Sequence, residues 1–146
     1  MDKQVGEIVA ELEKLGLREK TLVMFSGDNG TALTFPSTIG GRMINGKKAS
    51  MLEGGSRVPL IASWPAVMKQ GRVNRDLISC ADFLPTICAA TGAETPANVD
   101  GVSFLPQLRG ETGTPRESLY MWYSPRQKFD LTVSESAFNH DHKLYR

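Results

Sequence analysis

The chain opens with an apolar stripe. Val5, Ile8, Val9, Leu12 and Leu15 fall at helical spacing, which predicts an amphipathic helix, and Gly16 is placed to end it. A continuous apolar run follows, Leu22-Val23-Met24-Phe25, as expected for a strand covered on both faces. Leu60-Ile61-Ala62-Ser63-Trp64 has the same character and stops at Pro65. A further helix is predicted from about Cys80 to Thr91, capped by Asp76 or Ser79 and ended by Gly92. Pro85 sits inside it, so its regular part is expected to begin near Asp82, where a first-turn proline does no harm. Phe104 to Leu108 suits a short helical turn that docks Phe104 and Leu108. Leu119-Tyr120-Met121-Trp122-Tyr123 is aromatic and strand-like, and the segment through Lys143-Leu144-Tyr145-Arg146 reads as one more strand. Helix, buried strand and polar loop in succession form half of a βαβ crossover, so the predicted class is α/β.

The polar loop after the first strand carries the candidate chemistry. Ser26-Gly27-Asp28-Asn29-Gly30 places a carboxylate and an amide at a strand end, where open α/β sheets bind ligands. Two hard oxygen donors suit Ca²⁺ or Mg²⁺. Asn-Gly is also the favoured centre of a type I′ hairpin turn. Against a hairpin here, the next eleven residues contain Pro36 and Gly40-Gly41 and show no clean alternation. Further on, Lys48, or alternatively Lys47, offers an ammonium for an oxyanion. Gly54-Gly55 lets the backbone turn tightly or approach another segment closely. Arg57 is expected to pair with Glu53 rather than touch a substrate.

Composition narrows the classes. The 146 residues are 40% hydrophobic and 23% charged, with a net charge of +1. That balance is globular and gives no electrostatic case for nucleic acid or an anionic membrane. No segment is apolar and long enough to span a bilayer, and the N-terminus has no apolar signal core. Cys80 and Cys88 are expected on one helix, about 12 Å apart along its axis. That exceeds the roughly 7 Å Cα separation a disulfide tolerates, so both are expected as free, mostly buried thiols. Gly-x-Ser-x-Gly, Walker A and Gly-x-Gly-x-x-Gly are absent. His140 and His142, spaced i, i+2, would share a strand face; the default for them is a solvated tail.

Taken together these segments resemble the sulfatases. Ser26-Gly27-Asp28-Asn29-Gly30 is similar to that family's second metal-binding segment. Lys48-Ala49-Ser50-Met51-Leu52-Glu53-Gly54-Gly55-Ser56-Arg57-Val58-Pro59 resembles its Lys-x-x-x-x-Glu-Gly-Gly-x-Arg-x-Pro. Trp64-Pro65, the helix around Asp82-Phe83-Leu84-Pro85-Thr86, Asp100 through Gly110 and Lys143-Leu144-Tyr145-Arg146 follow in family order. The resemblance implies an alkaline-phosphatase-like α/β fold: a partial, mostly parallel sheet with flanking helices over residues 1–115, and the beginning of a small antiparallel C-terminal subdomain over 116–146. It implies Asp28 and Asn29 as Ca²⁺ ligands. It prefers Lys48 over Lys47, by its offset from Glu53, as the group that holds a sulfate oxygen and stabilises charge near the leaving group. The implied reaction is Ca²⁺-assisted hydrolysis of a sulfate ester.

The family's nucleophile, a formylglycine made from cysteine in Cys-x-Pro-x-Arg, has no counterpart, because neither Cys80 nor Cys88 is followed by that pattern. The family's N-terminal aspartate pair, catalytic histidines and further lysine also lack counterparts here. The expectation is therefore a C-terminal sulfatase portion, inactive alone, with weak or no Ca²⁺ binding and self-association through exposed apolar surface. Relatives are mostly periplasmic, secreted or lysosomal. A phosphoester or phosphonate hydrolase of the same superfamily, or a non-catalytic module retaining the fold, are the alternatives.

Overall fold

A computed structural model describes residues 1–32, 35–68, 71–124 and 133–146. The element order is α1 (Asp2–Lys14), a 3₁₀ turn (Arg18–Lys20), β1 (Val23–Ser26), β2 (Ser37–Ile39), β3 (Arg42–Ile44), α2 (Glu53–Ser56) and β4 (Leu60–Ser63). A second 3₁₀ turn (Cys80–Asp82), α3 (Phe83–Thr91), α4 (Leu105–Arg109), β5 (Leu119–Tyr123), β6 (Ser134–Phe138) and β7 (Lys143–Tyr145) follow. Two compact units result. One comprises Met1–Phe25 and Ile61–Pro115, the other Ser26–Leu60 and Arg116–Arg146.

In the first unit, α1 ends as its sequence requires. Leu17 N–H bonds Leu12 O at 2.9 Å and Gly16 N–H bonds Glu13 O at 3.0 Å, with Gly16 in the left-handed region at φ 67°. None of the α1 side chains is buried. Strand β1 pairs with β4, so the chain does not reverse through Asn29-Gly30. The two strands are only partly covered, with Ile61 60% exposed. The expectation of strands covered on both faces is corrected on this point: the two-strand sheet has no described layer over that side of β4. Arg18 tethers the end of β4, donating to Ser63 O and to Ser63 Oγ, while the Trp64 indole donates to Glu19 O at 3.1 Å.

The core of this unit lies where α3 meets α4. Ser79, rather than Asp76, caps the turn: its Oγ accepts from Ala81 N–H at 3.3 Å, and Asp82 Oδ2 accepts from Ser79 N–H at 2.8 Å. This reciprocal capping box satisfies helix-start donors. The same carboxylate, 2% exposed, accepts from Val102 N–H at 2.7 Å through Oδ1. Thr86, completely buried, donates its hydroxyl to Asp82 O at 2.6 Å and accepts from Phe104 N–H at 3.0 Å. Phe104, Leu105, Leu108 and Cys88 are all buried, with the Phe83 and Phe104 rings edge to face at 6.1 Å. The docked turn at Phe104–Leu108 is thus as expected. Cys88 is a buried thiol, but Cys80 is exposed because it starts the 3₁₀ turn outside the packed face of α3.

In the second unit, β2 and β3 form an antiparallel hairpin that pairs Ser37 with Ile44 and Ile39 with Arg42. Gly40 and Gly41, at φ 56° and 78°, turn it. Positive φ at both central residues is what a type I′ two-residue hairpin turn needs. The double glycine that argued against a strand after Asn29 instead builds a separate hairpin further along. Strands β5, β6 and β7 form an antiparallel meander. β5 and β7 coincide with the expected strands; β6, with its Ser-Glu-Ser start, carries no comparable apolar run. His140 and His142 lie in the β6–β7 turn and not on a strand face. Asn139 Oδ1 accepts from the N–H groups of Asp141 and His142 there, at 2.9 and 2.8 Å, and both histidines are exposed.

Candidate metal and anion site

Every sequence-predicted site residue lies in the second unit, on two loops that are hydrogen-bonded together. The first leaves β1. Asn29 Nδ2 donates to Asp28 Oδ2 at 2.7 Å, bringing both side-chain ends to one point; Asp28 is exposed and Asn29 half-buried. The second loop runs from β3 to α2. Gly30 N–H donates to Gly55 O at 2.9 Å, Lys47 N–H to Gly54 O at 3.0 Å, and Lys48 N–H to Thr31 O at 3.0 Å. The Asp28-Asn29 loop is therefore tied on one side to α2 and on the other to the turn that carries Lys48.

Glycine makes this approach feasible. A Cβ on Gly30 would lie 2.7 Å from the carbonyl carbon of Gly54 and 3.0 Å from Gly55 Cα, and closer still to Gly54 O. No side chain fits against backbone at that range, and a Cβ on Gly54 or Gly55 would likewise run into Asn45 O or Lys47 O, so the Gly-Gly pair also acts through close approach.

Lys48 sits at the tip of its turn, exposed, beside Ala49 in the left-handed region at φ 67°. The turn is closed by Ser50 Oγ, which donates to Lys47 O at 2.7 Å and accepts from Leu52 N–H at 3.3 Å. Lys47 is half-buried, with its backbone committed on both sides. Of the two lysines, Lys48 is the more exposed.

Glu53, the first residue of α2, pairs with Arg57 at 3.4 Å, as expected, and also with Lys143 Nζ at 3.0 Å. The Lys143 contact was not readable from the sequence, since the partners are 90 residues apart. Partial burial works to raise the Glu53 pKa, but the hydrogen bonds and charges of Lys143 and Arg57 outweigh it. The net effect holds the carboxyl below its ordinary value of 4.5.

The donor set suits a hard cation in kind but not in number. In this state Asn29 turns its amide nitrogen towards Asp28. A cation requires the amide oxygen there instead, a half-turn about the Cβ–Cγ bond. Ca²⁺ takes six to eight oxygen ligands, and among the described residues no group of three or more His, Cys, Asp and Glu could hold a metal.

The strand-end carboxylate–amide pair and the lysine-bearing turn lie within a chain of mixed helix and sheet, the class of an α/β protein. Comparison with known proteins narrows the class. The family model described as Sulfatase matches residues 1–93. The chain is 38% identical over 127 residues to human arylsulfatase A, covering 85% of this chain and 25% of that protein. It is also 38% identical over 119 residues to mouse steryl-sulfatase, covering 76% of this chain and 19% of that protein. Among solved structures, a 2-O GAG sulfatase superposes with a TM-score of 0.78 at 24% identity, covering 99% of this chain and 30% of that one. A structure described as in complex with its substrate D-glucosamine-2-N,6-O-disulfate gives 0.74 at 28%, covering 99% and 28%. A phosphonate monoester hydrolase from Silicibacter pomeroyi gives 0.79 at 24%, covering 99% and 30%. The chain belongs to the sulfatase family and has its alkaline-phosphatase-like fold. It spans about a fifth to a quarter of the length of the curated relatives it matches.

Proposed function

We propose that this chain is the C-terminal portion of a Ca²⁺-dependent sulfatase, with residues 1–115 in the large α/β domain and 116–146 beginning the small one. Asp28 and Asn29 supply two of the metal's oxygen ligands, and Lys48 holds a sulfate oxygen and stabilises charge near the leaving group. Bound Ca²⁺ would supply a fixed positive charge against which a sulfate group is oriented. The observation that carries this reading is the pair of backbone bonds, Gly30 to Gly55 and Lys48 to Thr31, which join the metal-type loop to the anion-type turn.

Alone, the chain can position an anion but cannot cleave its ester. Neither cysteine lies in Cys-x-Pro-x-Arg, so the formylglycine nucleophile has no source among these residues. Two ligands are also too few for Ca²⁺. The apolar stripe of α1, with Ile8 and Leu15 exposed, and the open side of β4 favour self-association. Substrate is proposed only as a class, a sulfate ester. A phosphoester or phosphonate substrate is the second reading, since one carboxylate, one amide and one lysine do not separate sulfate from phosphate.

The test is an assay of the purified chain with an aryl sulfate and Ca²⁺, paired with the coding sequence immediately upstream of Met1. No turnover, and an upstream Cys-x-Pro-x-Arg, are the expected results. Turnover by the 146 residues overturns the inactive assignment. An upstream segment lacking that motif overturns the sulfate-ester reading in favour of the phosphoester or phosphonate one.

A further inference from the structure

Lys143 lies on β7, far in sequence from the candidate site, yet its side chain is only 13% exposed. Its ammonium stands 3.0 Å from Glu53 Oε1, 4.8 Å from the centre of the Phe138 ring and 5.4 Å from that of Tyr145. A desolvated ammonium held by one carboxylate and two aromatic faces is a firm contact, because each attraction strengthens as water is excluded. Glu53 begins α2, and the next two residues provide the carbonyls that receive Lys47 N–H and Gly30 N–H. These amides flank the lysine turn and the Asp28-Asn29 pair.

We propose that Lys143 is a positioning residue. Through Glu53 it latches α2 against β7 and so holds the Asp28-Asn29 loop and the Lys48 turn in register. The assignment of a role in substrate handling rests on the reading of Asp28, Asn29 and Lys48 given above; the latch itself is a statement about loop order. Arg57 cannot substitute, since its side chain is 83% exposed and its pairing with Glu53 is confined to α2 and its end.

Backbone amide hydrogen exchange on the full chain tests this without metal or substrate. Lys143→Met keeps the stem and removes the charge. It should speed exchange at Gly30 and Lys47 at least tenfold, while Val102 and Phe104, held by Asp82 and Thr86 in the other unit, stay within twofold. Lys143→Arg should restore most of the protection. Glu53→Gln should open the same two amides, which keeps the test decisive if Lys143→Met folds poorly. The latch is overturned by unchanged rates at Gly30 and Lys47, by equal acceleration at Val102 and Phe104, or by an arginine variant as open as the methionine one. The latch thus stands or falls separately from the sulfate-ester reading, which the upstream sequence decides.

Discussion

Gly30→Ala isolates the close approach on which the candidate site depends. The added methyl would stand 2.7 Å from Gly54 C and 3.0 Å from Gly55 Cα. Both are backbone atoms, so no rotamer change relieves the clash. Either α2 or the Asp28-Asn29 loop must move, and the 2.9 Å bond from Gly30 N–H to Gly55 O goes with it. Overpacking of this kind costs about 1–3 kcal/mol, and a lost hydrogen bond adds about 0.5–1.5 kcal/mol. The expected destabilisation is therefore about 1.5–4.5 kcal/mol. With a urea m-value of about 2 kcal/mol/M, the middle of the usual range, the midpoint should fall by roughly 1–2 M, read by tryptophan fluorescence. Gly6→Ala is the internal control. Gly6 lies inside α1 with nothing within 4 Å of its would-be Cβ, and alanine is better than glycine in a helix by about 1 kcal/mol. The same substitution should thus destabilise at position 30 and stabilise at position 6. A Gly30→Ala midpoint within about 0.3 M of wild type, about 0.6 kcal/mol at that m-value, refutes the close-approach argument.

Two further outcomes are expected. Thr86→Val keeps the shape of a fully buried side chain but leaves Phe104 N–H without its acceptor; it should cost about 1–3 kcal/mol and lower Tm more than Thr86→Ser does. If valine proves as stable as serine, the hydroxyl is not the structural link assigned to it. Glu53, with its pKa held down in the folded state, stabilises when ionised. That contribution is complete above the unfolded carboxyl value and is lost as pH falls through the lower folded value. Glu53→Gln should therefore flatten the loss of stability below about pH 4.5. Half-exposure of Glu53 keeps this effect small, and identical acid-unfolding profiles for the two proteins would count against the pairing with Lys143.

Sequence by itself determined what depends on near neighbours. The 3.6-residue stripe before Gly16 specified α1, the apolar run specified β1, and Pro85 placed the start of α3 near Asp82, while the choice of Ser79 over Asp76 as its cap came from the structure. Aromatic density marked β5. Adjacency in the chain was enough to pair Asp28 with Asn29 and Glu53 with Arg57, because one or four residues of backbone leave little choice of distance. The resemblance to sulfatases came from the order of such local motifs. Tertiary structure decided what depends on segments far apart. Gly30 meets Gly55, and Lys143 meets Glu53 across 90 residues. Asp82 reaches Val102 from a position where pattern shows only a helix cap. The β2–β3 hairpin and β6 were hidden because a three-residue strand has too few positions to show alternation, and because a Ser-Glu-Ser start lacks the apolar signal. The physical division follows from the forces involved. Helix periodicity and capping act within a turn or two of chain, whereas a close backbone approach or a buried ion pair exists only once distant segments have been brought together.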